Sequence, residues 1–231
     1  MLFLELSGSP KQQGHVHGET FRNEIRELLE IRKHLVRTYL SDMTLFEIEK
    51  LAFGQVEKLK QFPDLFEEFC GLAEGSTLSL ADLLILNNYT DLRDFGGYHP
   101  TGESKQDEGC SLFSYRHPKI HLCGQTWDMH ASAEPYVLSL SIQGDQKRPS
   151  IEILTVTGCM ALAGVNQHSL SVLINNMHCS ETSVSAMWPA LVKGMLLKKT
   201  AKEALDFFVA NLPCSGHNYL ICDPKEAINV E

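Results

Sequence analysis

The sequence predicts an α+β protein in which a mostly helical segment precedes a run of antiparallel strands. Up to about residue 93, apolar side chains recur at helical spacing. After an acidic linker the period changes to two, which is typical of short strands. A length of 231 residues, with 43% hydrophobic and 21% charged residues, is typical of a globular protein of one or two domains.

The first segment predicts a short strand in "MLFLEL" followed by four helices. Residues 21–40 carry apolar side chains on one face and charges on the other. Thr44, with Glu47 three residues later, predicts a capping box at the start of the second helix. Pro63 ends that helix, a short helix follows, and Ser79 is a predicted N-cap for the fourth.

The second segment begins after residues 94–108, whose glycines and acidic side chains predict an exposed linker. Six short β-type runs follow, then two helical stretches that begin near "AMWPAL" and "AKEAL", then the strands "NYLICD" and "AINVE". We therefore divide the chain into a helical N-terminal segment, residues 1–109, and a strand-rich segment, residues 110–231. Pro189 is expected near the first helical position of its helix.

Composition argues against several classes of partner. The net charge is −9, and the basic residues are interspersed with acidic ones, so a nucleic-acid partner is not expected. No apolar run approaches the roughly 20 residues that span a bilayer, and "MLFLEL" does not resemble a signal peptide, so we expect a cytoplasmic protein with no membrane partner. Seven cysteines without paired spacing do not predict a disulfide framework. Six are expected to be small core residues: Cys70, Cys123, Cys159, Cys179, Cys214 and Cys222.

The seventh cysteine, Cys110, lies where the linker ends and the first β-type run begins. A cysteine in this position is most often structural. Here Gly109 precedes it, and glycine tolerates the backbone angles of a reactive peptide bond. If the Gly109–Cys110 bond were cut, Cys110 would carry a thiol and a free α-amine. An unperturbed α-amine has a pKa of about 7.7–8.0, so it would be a general base beside the nucleophile.

A predicted hairpin brings a carboxylate toward Cys110. The turn at residues 117–119 returns the chain as "IHLCGQTWDMH", which carries Trp127 and Asp128 back to the end of the hairpin where Cys110 lies. Asp128 there would hold the ammonium group or orient the thiol. The alternative interpretation is a core tryptophan followed by an aspartate that caps a turn. His130 is a further candidate to line this pocket.

These motifs resemble the penicillin acyltransferase-like group of N-terminal nucleophile hydrolases, peptidase family C45. The resemblance rests on "EGCS" at 108–111, "GQTWDMH" at 124–130, "GHVHGETF" at 14–21 and "GVNQHSLSVLINN" at 164–176. These segments occur in the family's order along essentially the whole chain. The Gly-Cys-Ser sequence alone would be a weak signal. Its combination with "GQTWD" at this spacing is fairly specific for the family.

The resemblance implies a four-layer αββα sandwich with two antiparallel sheets. It also implies a proenzyme that cuts itself between Gly109 and Cys110, with the two resulting chains remaining associated. Cys110 would be the nucleophile in cleavage and in turnover on a small amide or acyl thioester, with no cofactor. Asp128 would be the supporting carboxylate. Asn175 falls where the family has an asparagine near the oxyanion.

Two departures from the family pattern leave alternatives open. Ser169 stands where the family typically has glycine, and relatives continue beyond "AINVE" into a Thr-Asn-His segment, so the C-terminal part of the fold is expected to be missing. A truncated or degenerate, non-catalytic binding protein is therefore one alternative. A Cys–His amidase that acts without cleavage is the other, with Cys110 paired with a histidine of the hairpin region: His117, His121 or His130.

A metal site is not expected. In a strand, His15 and His17 would share one face with Glu19 nearby, but no third ligand is evident. The segment also matches the helix-entry motif of the family named above.

Overall fold

A computed structural model of the chain describes residues 1–95, 110–177, 179 and 182–231. Most of the predicted linker, and the cleavage-site residue Gly109, lie outside this part. The first two linker residues, Asp94 and Phe95, end the last helix of the N-terminal segment.

The described residues form seven helices and nine strands. The helices are α1 Pro10–Thr20, α2 Arg22–Tyr39, α3 Leu45–Leu59, α4 Pro63–Ser76, α5 Leu80–Phe95, α6 Trp188–Leu196 and α7 Ala201–Ala210. The strands are β1 Leu2–Leu6, β2 Leu112–His117, β3 Ile120–Gln125, β4 Val137–Ile142, β5 Ile151–Val156, β6 Ala163–Asn166, β7 Ser171–Asn176, β8 His217–Cys222 and β9 Ala227–Val230. A 3-10 helix, Ala131–Tyr136, joins β3 to β4.

Seven of these strands form one sheet in the order β1-β4-β5-β6-β7-β8-β9, and β2 and β3 form a separate antiparallel hairpin. The α+β class is therefore confirmed. The larger sheet is not wholly antiparallel, because β1 runs parallel to β4. Five helices and the hairpin separate β1 from β4 in sequence, so no tight turn imposes an antiparallel pairing on them.

The sheet lies between the helices and the hairpin. Val172 and Ile174 of β7 face a core that contains side chains of the helices. Leu173, between them, faces the other way, into a small apolar cluster on which Leu112 and Cys123 of the hairpin pack. Alternate residues of β7 thus pack against the helices on one side of the sheet and against the hairpin on the other, as the period of two requires.

The predicted helix starts are confirmed in detail. Thr44 and Glu47 form both hydrogen bonds of a capping box at the start of α3. Pro63 occupies the first turn of α4, so it begins a helix as well as ending the preceding one. The Ser79 hydroxyl accepts a hydrogen bond from the backbone N–H of Asp82, at 3.0 Å. Pro189 likewise lies in the first turn of α6.

The "GHVHG" segment is helical, which corrects the geometry considered for a metal site. It lies in α1, so His15 and His17 do not share a face as they would in a strand. His17 is buried, and its Nε2 accepts a hydrogen bond from the Gly158 backbone N–H at 3.0 Å, whereas His15 is partly exposed. Burial lowers the pKa of His17 to about 3, so the ring is neutral.

The buried ring of His17 should make folding sensitive to acid. Below pH 6.5 the unfolded chain binds a proton that the native state excludes until about pH 3. The free energy of unfolding should therefore fall by about 1.4 kcal/mol per pH unit from this residue. Urea titrations between pH 7 and pH 4 measure how steeply the free energy of unfolding falls with pH. His17→Gln should reduce this pH dependence by about 1.4 kcal/mol per pH unit, and His15→Gln should leave it unchanged. Equal slopes for His17→Gln and the parent would contradict the assignment.

Among the described residues, no single helix is both long enough and apolar enough to cross a membrane. The pair α4 and α5, bent by 112° at the break between them, meets the length and composition criteria only when taken together.

Candidate active site

The hairpin positions Cys110 opposite Trp127. Leu112 pairs with Gln125 at the open end of the hairpin. Beyond that pair, the Ser111 N–H donates to Thr126 Oγ1 at 2.9 Å and the Thr126 N–H donates to the Ser111 carbonyl at 3.0 Å. These two hydrogen bonds extend the pairing by one residue, so that Cys110 and Trp127 come next on the two chains.

The hairpin is also anchored to the large sheet at this end. The side-chain oxygen of Gln125 accepts a hydrogen bond from the Ile174 backbone N–H, at 3.0 Å. The end of the hairpin that carries Cys110 is therefore held against the end of β7. This attachment fixes which residues of the sheet can meet the thiol.

Cys110, Trp127 and Asp128 line one cavity of about 40 Å³. Cys110 is half-buried and Asp128 is exposed, so the thiol lies neither deep in the core nor fully in solvent. A single water molecule needs roughly 10–15 Å³ of such space. The cavity therefore admits a small group such as a carbonyl, and a larger substrate would extend beyond it.

The other predicted site residues lie elsewhere. Asn176, and not Asn175, lines this cavity, because Asn176 shares the face of Ile174 while Asn175 shares the face of Leu173. His130 follows Met129 on the chain but is not part of the lining. His117 and His121 line a different cavity near the hairpin turn. None of the three histidines considered for a Cys–His pair lines the cavity that contains Cys110.

A buried cation forms part of the helical wall. Arg32 of α2 is 3% exposed, donates a hydrogen bond to the Leu86 carbonyl and lies over the ring of Tyr89, with 4.6 Å from its guanidinium carbon to the ring centroid. Within the described part of the chain, no carboxylate forms an ion pair with Arg32. Negative charge that develops on a substrate in this cavity would be stabilised by the guanidinium.

A buried Asp–His pair, absent from the sequence predictions, also reaches the cavity. His217 lines it, and the ring Nε2 lies 2.7 Å from Asp91 Oδ1, with both side chains 1% exposed. Among the described residues, the ring Nδ1 of His217 is buried without a hydrogen-bond partner. The pair therefore has the arrangement of an oriented proton acceptor, although 126 residues separate its members.

Asp91 is held by a second hydrogen bond. The Cys214 thiol donates to Asp91 Oδ2 at 2.6 Å. Burial, together with the negative charge of Asp91, raises the pKa of Cys214 well above its usual range, so this thiol stays protonated. Cys214 is buried, as expected of a small core residue. Its thiol belongs to a polar network, however, and not to the apolar surroundings that were expected.

The sequence comparisons find a distant relative of this chain. No family model matches the chain. The acyl-coenzyme A:6-aminopenicillanic-acid-acyltransferase 40 kDa form of Emericella nidulans is 25% identical over 212 residues, which are 91% of this chain and 57% of that protein. The chain thus spans little more than half the length of this relative. Similarity over nearly the whole chain indicates, at a coarse level, a distant relationship to an acyltransferase.

Proposed function

We propose that Cys110 is the nucleophile of a self-cleaving enzyme that transfers or hydrolyses acyl groups held in an amide or a thioester. One observation supports this most strongly. Cys110 and Asp128 meet in one cavity, in a chain that aligns with an acyltransferase over 91% of its length. The proposal includes the four-layer sandwich of the N-terminal nucleophile hydrolases, of which the helical layer, the sheet and the hairpin would be parts.

Self-cleavage would begin with attack of the Cys110 thiol on the Gly109 carbonyl carbon. The peptide C–N bond breaks, the Cys110 nitrogen takes up a proton, and a thioester joins Gly109 to the sulfur. Water then hydrolyses the thioester, which leaves a carboxylate on Gly109 and frees both the thiol and the α-amine of Cys110. The two pieces would stay together, because β1 is hydrogen-bonded to β4 across the cleavage site.

Turnover would use the freed amine as the base. It accepts the thiol proton as the sulfur attacks the acyl carbonyl, and it returns a proton to the leaving amine or thiol. The acyl group then passes from the Cys110 sulfur to water or to an acceptor amine. The Asp128 carboxylate would hold the ammonium form, and the negative oxygen of the tetrahedral intermediate would face Arg32 and the Asn176 amide.

The mature N-terminus tests the proposal directly. Purified protein, expressed from the complete coding sequence, should contain a polypeptide that begins Cys-Ser-Leu-Phe, found by N-terminal sequencing and intact mass under denaturing conditions. A single uncut polypeptide that also takes no acyl group from a panel of small acyl thioesters would reject the enzyme in favour of a non-catalytic binding protein.

A Cys–His enzyme that acts without cleavage is the second candidate, and the Asp91–His217 pair favours it. His217→Gln distinguishes the two schemes, since glutamine is of similar length and can still hydrogen-bond to Asp91. With the Cys110 amine as base, we expect acylation to slow less than tenfold. With His217 as base, it should slow by roughly 10²–10⁴-fold. Stopped-flow acylation of cleaved and uncleaved protein gives the answer, and a fall in that larger range would replace the first scheme with the second.

A further inference from the structure

Two further thiols, Cys123 and Cys222, line a different cavity from that of Cys110. Cys123 belongs to β3 of the hairpin and Cys222 ends β8. The Cys123 sulfur is 3.0 Å from the Ser171 hydroxyl oxygen. Ser171 is paired with Cys222 across β7 and β8, and its hydroxyl lies 3.4 Å from the Cys222 carbonyl oxygen. One serine thus contacts both cysteines.

Both cysteines line an open cavity of about 690 Å³ between the hairpin turn and the ends of β7 and β8. Cys123 is half-buried and accessible from it, whereas Cys222 is buried behind it. This corrects the expectation that Cys123 is a core residue. The volume lies within the ordinary range of small-molecule sites, about 300–1,000 Å³.

The cavity has a positively charged rim. Arg116 and Lys119 flank the hairpin turn and line the cavity together with His117 and His121. The acidic residue in the lining is Asp223. Its carboxylate accepts hydrogen bonds from three backbone N–H groups, those of Ala201 at 2.9 Å, Lys225 at 2.7 Å and Glu226 at 3.0 Å. The rim therefore favours a ligand with negative charge.

The surroundings of the two thiols make Cys123, rather than Cys222, the nucleophile. The neighbouring Cys222 thiol, the Ser171 hydroxyl and the nearby His121 together lower the pKa of Cys123 to about 6. The same contact with Cys123 raises the pKa of Cys222 far above its usual range. Cys123 is therefore the more readily ionised thiol of the two, and Cys222 keeps its proton. A thiol whose pKa lies near the ambient pH is the fastest to attack a disulfide.

We propose that Cys123 and Cys222 form a thiol-modification site, distinct from Cys110, that reacts with small anionic disulfides. The site stands on its own contacts and does not depend on the function proposed for Cys110.

The reaction is an exchange in two steps. The Cys123 thiolate attacks one sulfur of the small disulfide, whose S–S bond breaks and releases one thiolate, and a mixed disulfide forms at Cys123. Cys222 then loses its proton and attacks the Cys123 sulfur, which releases the second small thiol and leaves a Cys123–Cys222 disulfide. The two protein thiols are oxidised by two electrons, and the small disulfide is reduced to two thiols.

The product would tie the hairpin to the large sheet. Cys123 lies in the strand that pairs with β2, and β2 begins two residues after Cys110. A covalent bond to β8 would therefore fix the position of the hairpin that carries Cys110. Modification at this site would therefore affect the position of Cys110, the candidate nucleophile, without contacting it.

Mass spectrometry of the Cys110→Ala chain, treated with oxidised glutathione at pH 7, tests the proposal. Peptide mapping of this chain should find a Cys123–Cys222 cross-link. Adding Cys222→Ser should trap one glutathionyl group on Cys123, and adding Cys123→Ser should abolish both products. Cys70→Ser, which removes another half-buried thiol, should leave both products unchanged.

Charge preference is tested by comparing oxidised glutathione with the cationic disulfide cystamine. Glutathione should react with Cys123 about tenfold faster, and the double substitution Arg116→Gln and Lys119→Gln should remove that difference. Absence of the cross-link in the Cys110→Ala chain, or faster labelling of Cys70 than of Cys123, would overturn the site. Equal rates for the two disulfides would overturn its preference for anions.

Discussion

Replacing Cys110 with alanine should abolish both self-cleavage and acylation. The variant lacks the sulfur that we propose attacks the Gly109 carbonyl, so the chain should stay a single polypeptide by intact mass. With an acyl thioester that acylates the parent, the rate of turnover should fall by at least about 10³-fold, because removing a nucleophile leaves only the assistance of the surrounding groups. Because Cys110 is only half-buried, its replacement by alanine should leave the fold intact.

Two further variants make the result specific. Cys70→Ala removes another half-buried thiol from α4 and should retain cleavage and acylation. Cys110→Ser keeps a weaker nucleophile and should cleave slowly, through an oxygen ester. If Cys110→Ala still yields a chain that begins at residue 110, or if the acyl group maps to another cysteine, Cys110 is not the nucleophile.

Most of the fold prediction depended on local sequence signals, such as helix caps and prolines. The capping box of Thr44 and Glu47, and the prolines at 63 and 189, are readable because each acts on backbone groups within one helical turn. The parallel pairing of β1 with β4 could not be predicted in this way. It joins Leu2 to Leu138, and no local pattern specifies the partner of an edge strand that distant.

The residues of the candidate site also fall into those that local sequence predicts and those that only tertiary packing brings together. A two-residue turn places Trp127 and Asp128 beside Cys110, so the hairpin could be predicted from its own sequence. The choice between Asn175 and Asn176 depends on which face of β7 points to the helices, and a slip of one residue reverses that choice. Asp91 and His217 meet only through the packing of α5 on the sheet, and neither has a motif around it.

The "GHVHG" segment has a structural role in the packing of two helices. Gly14 of α1 packs directly on the backbone of α4, where a Cβ atom at residue 14 would lie 1.9 Å from the Glu68 carbonyl oxygen. The contact is mutual, since a Cβ atom at Gly71 of α4 would lie 2.1 Å from the Lys11 carbonyl oxygen. Glycine on both helices allows their backbones to touch, and this close crossing holds His17 at the core.

Gly14→Ala should therefore destabilise the protein strongly. Alanine gains about 1 kcal/mol in helix propensity over glycine. Against that gain, the new methyl group meets a backbone oxygen that no rotamer change can move, so α1 and α4 must separate along their contact. Overpacking that forces the backbone to shift costs about 1–3 kcal/mol, and a clash this close lies at the upper end of that range, so we expect a net loss of about 2 kcal/mol. Urea unfolding at pH 7 measures it.

Gly54→Ala is the matched control, because it places the same methyl group inside a helix with a different neighbour. A Cβ atom at Gly54 of α3 would lie 3.2 Å from a methyl carbon of Val184, which belongs to a side chain and can move by a few tenths of an ångström. The gain in helix propensity should then dominate, so the stability of this variant should equal or exceed that of the parent. Equal stabilities for Gly14→Ala and Gly54→Ala would show that the α1–α4 crossing does not require glycine. A loss confined to Gly14→Ala would establish that backbone contact, rather than flexibility, is what the glycine provides.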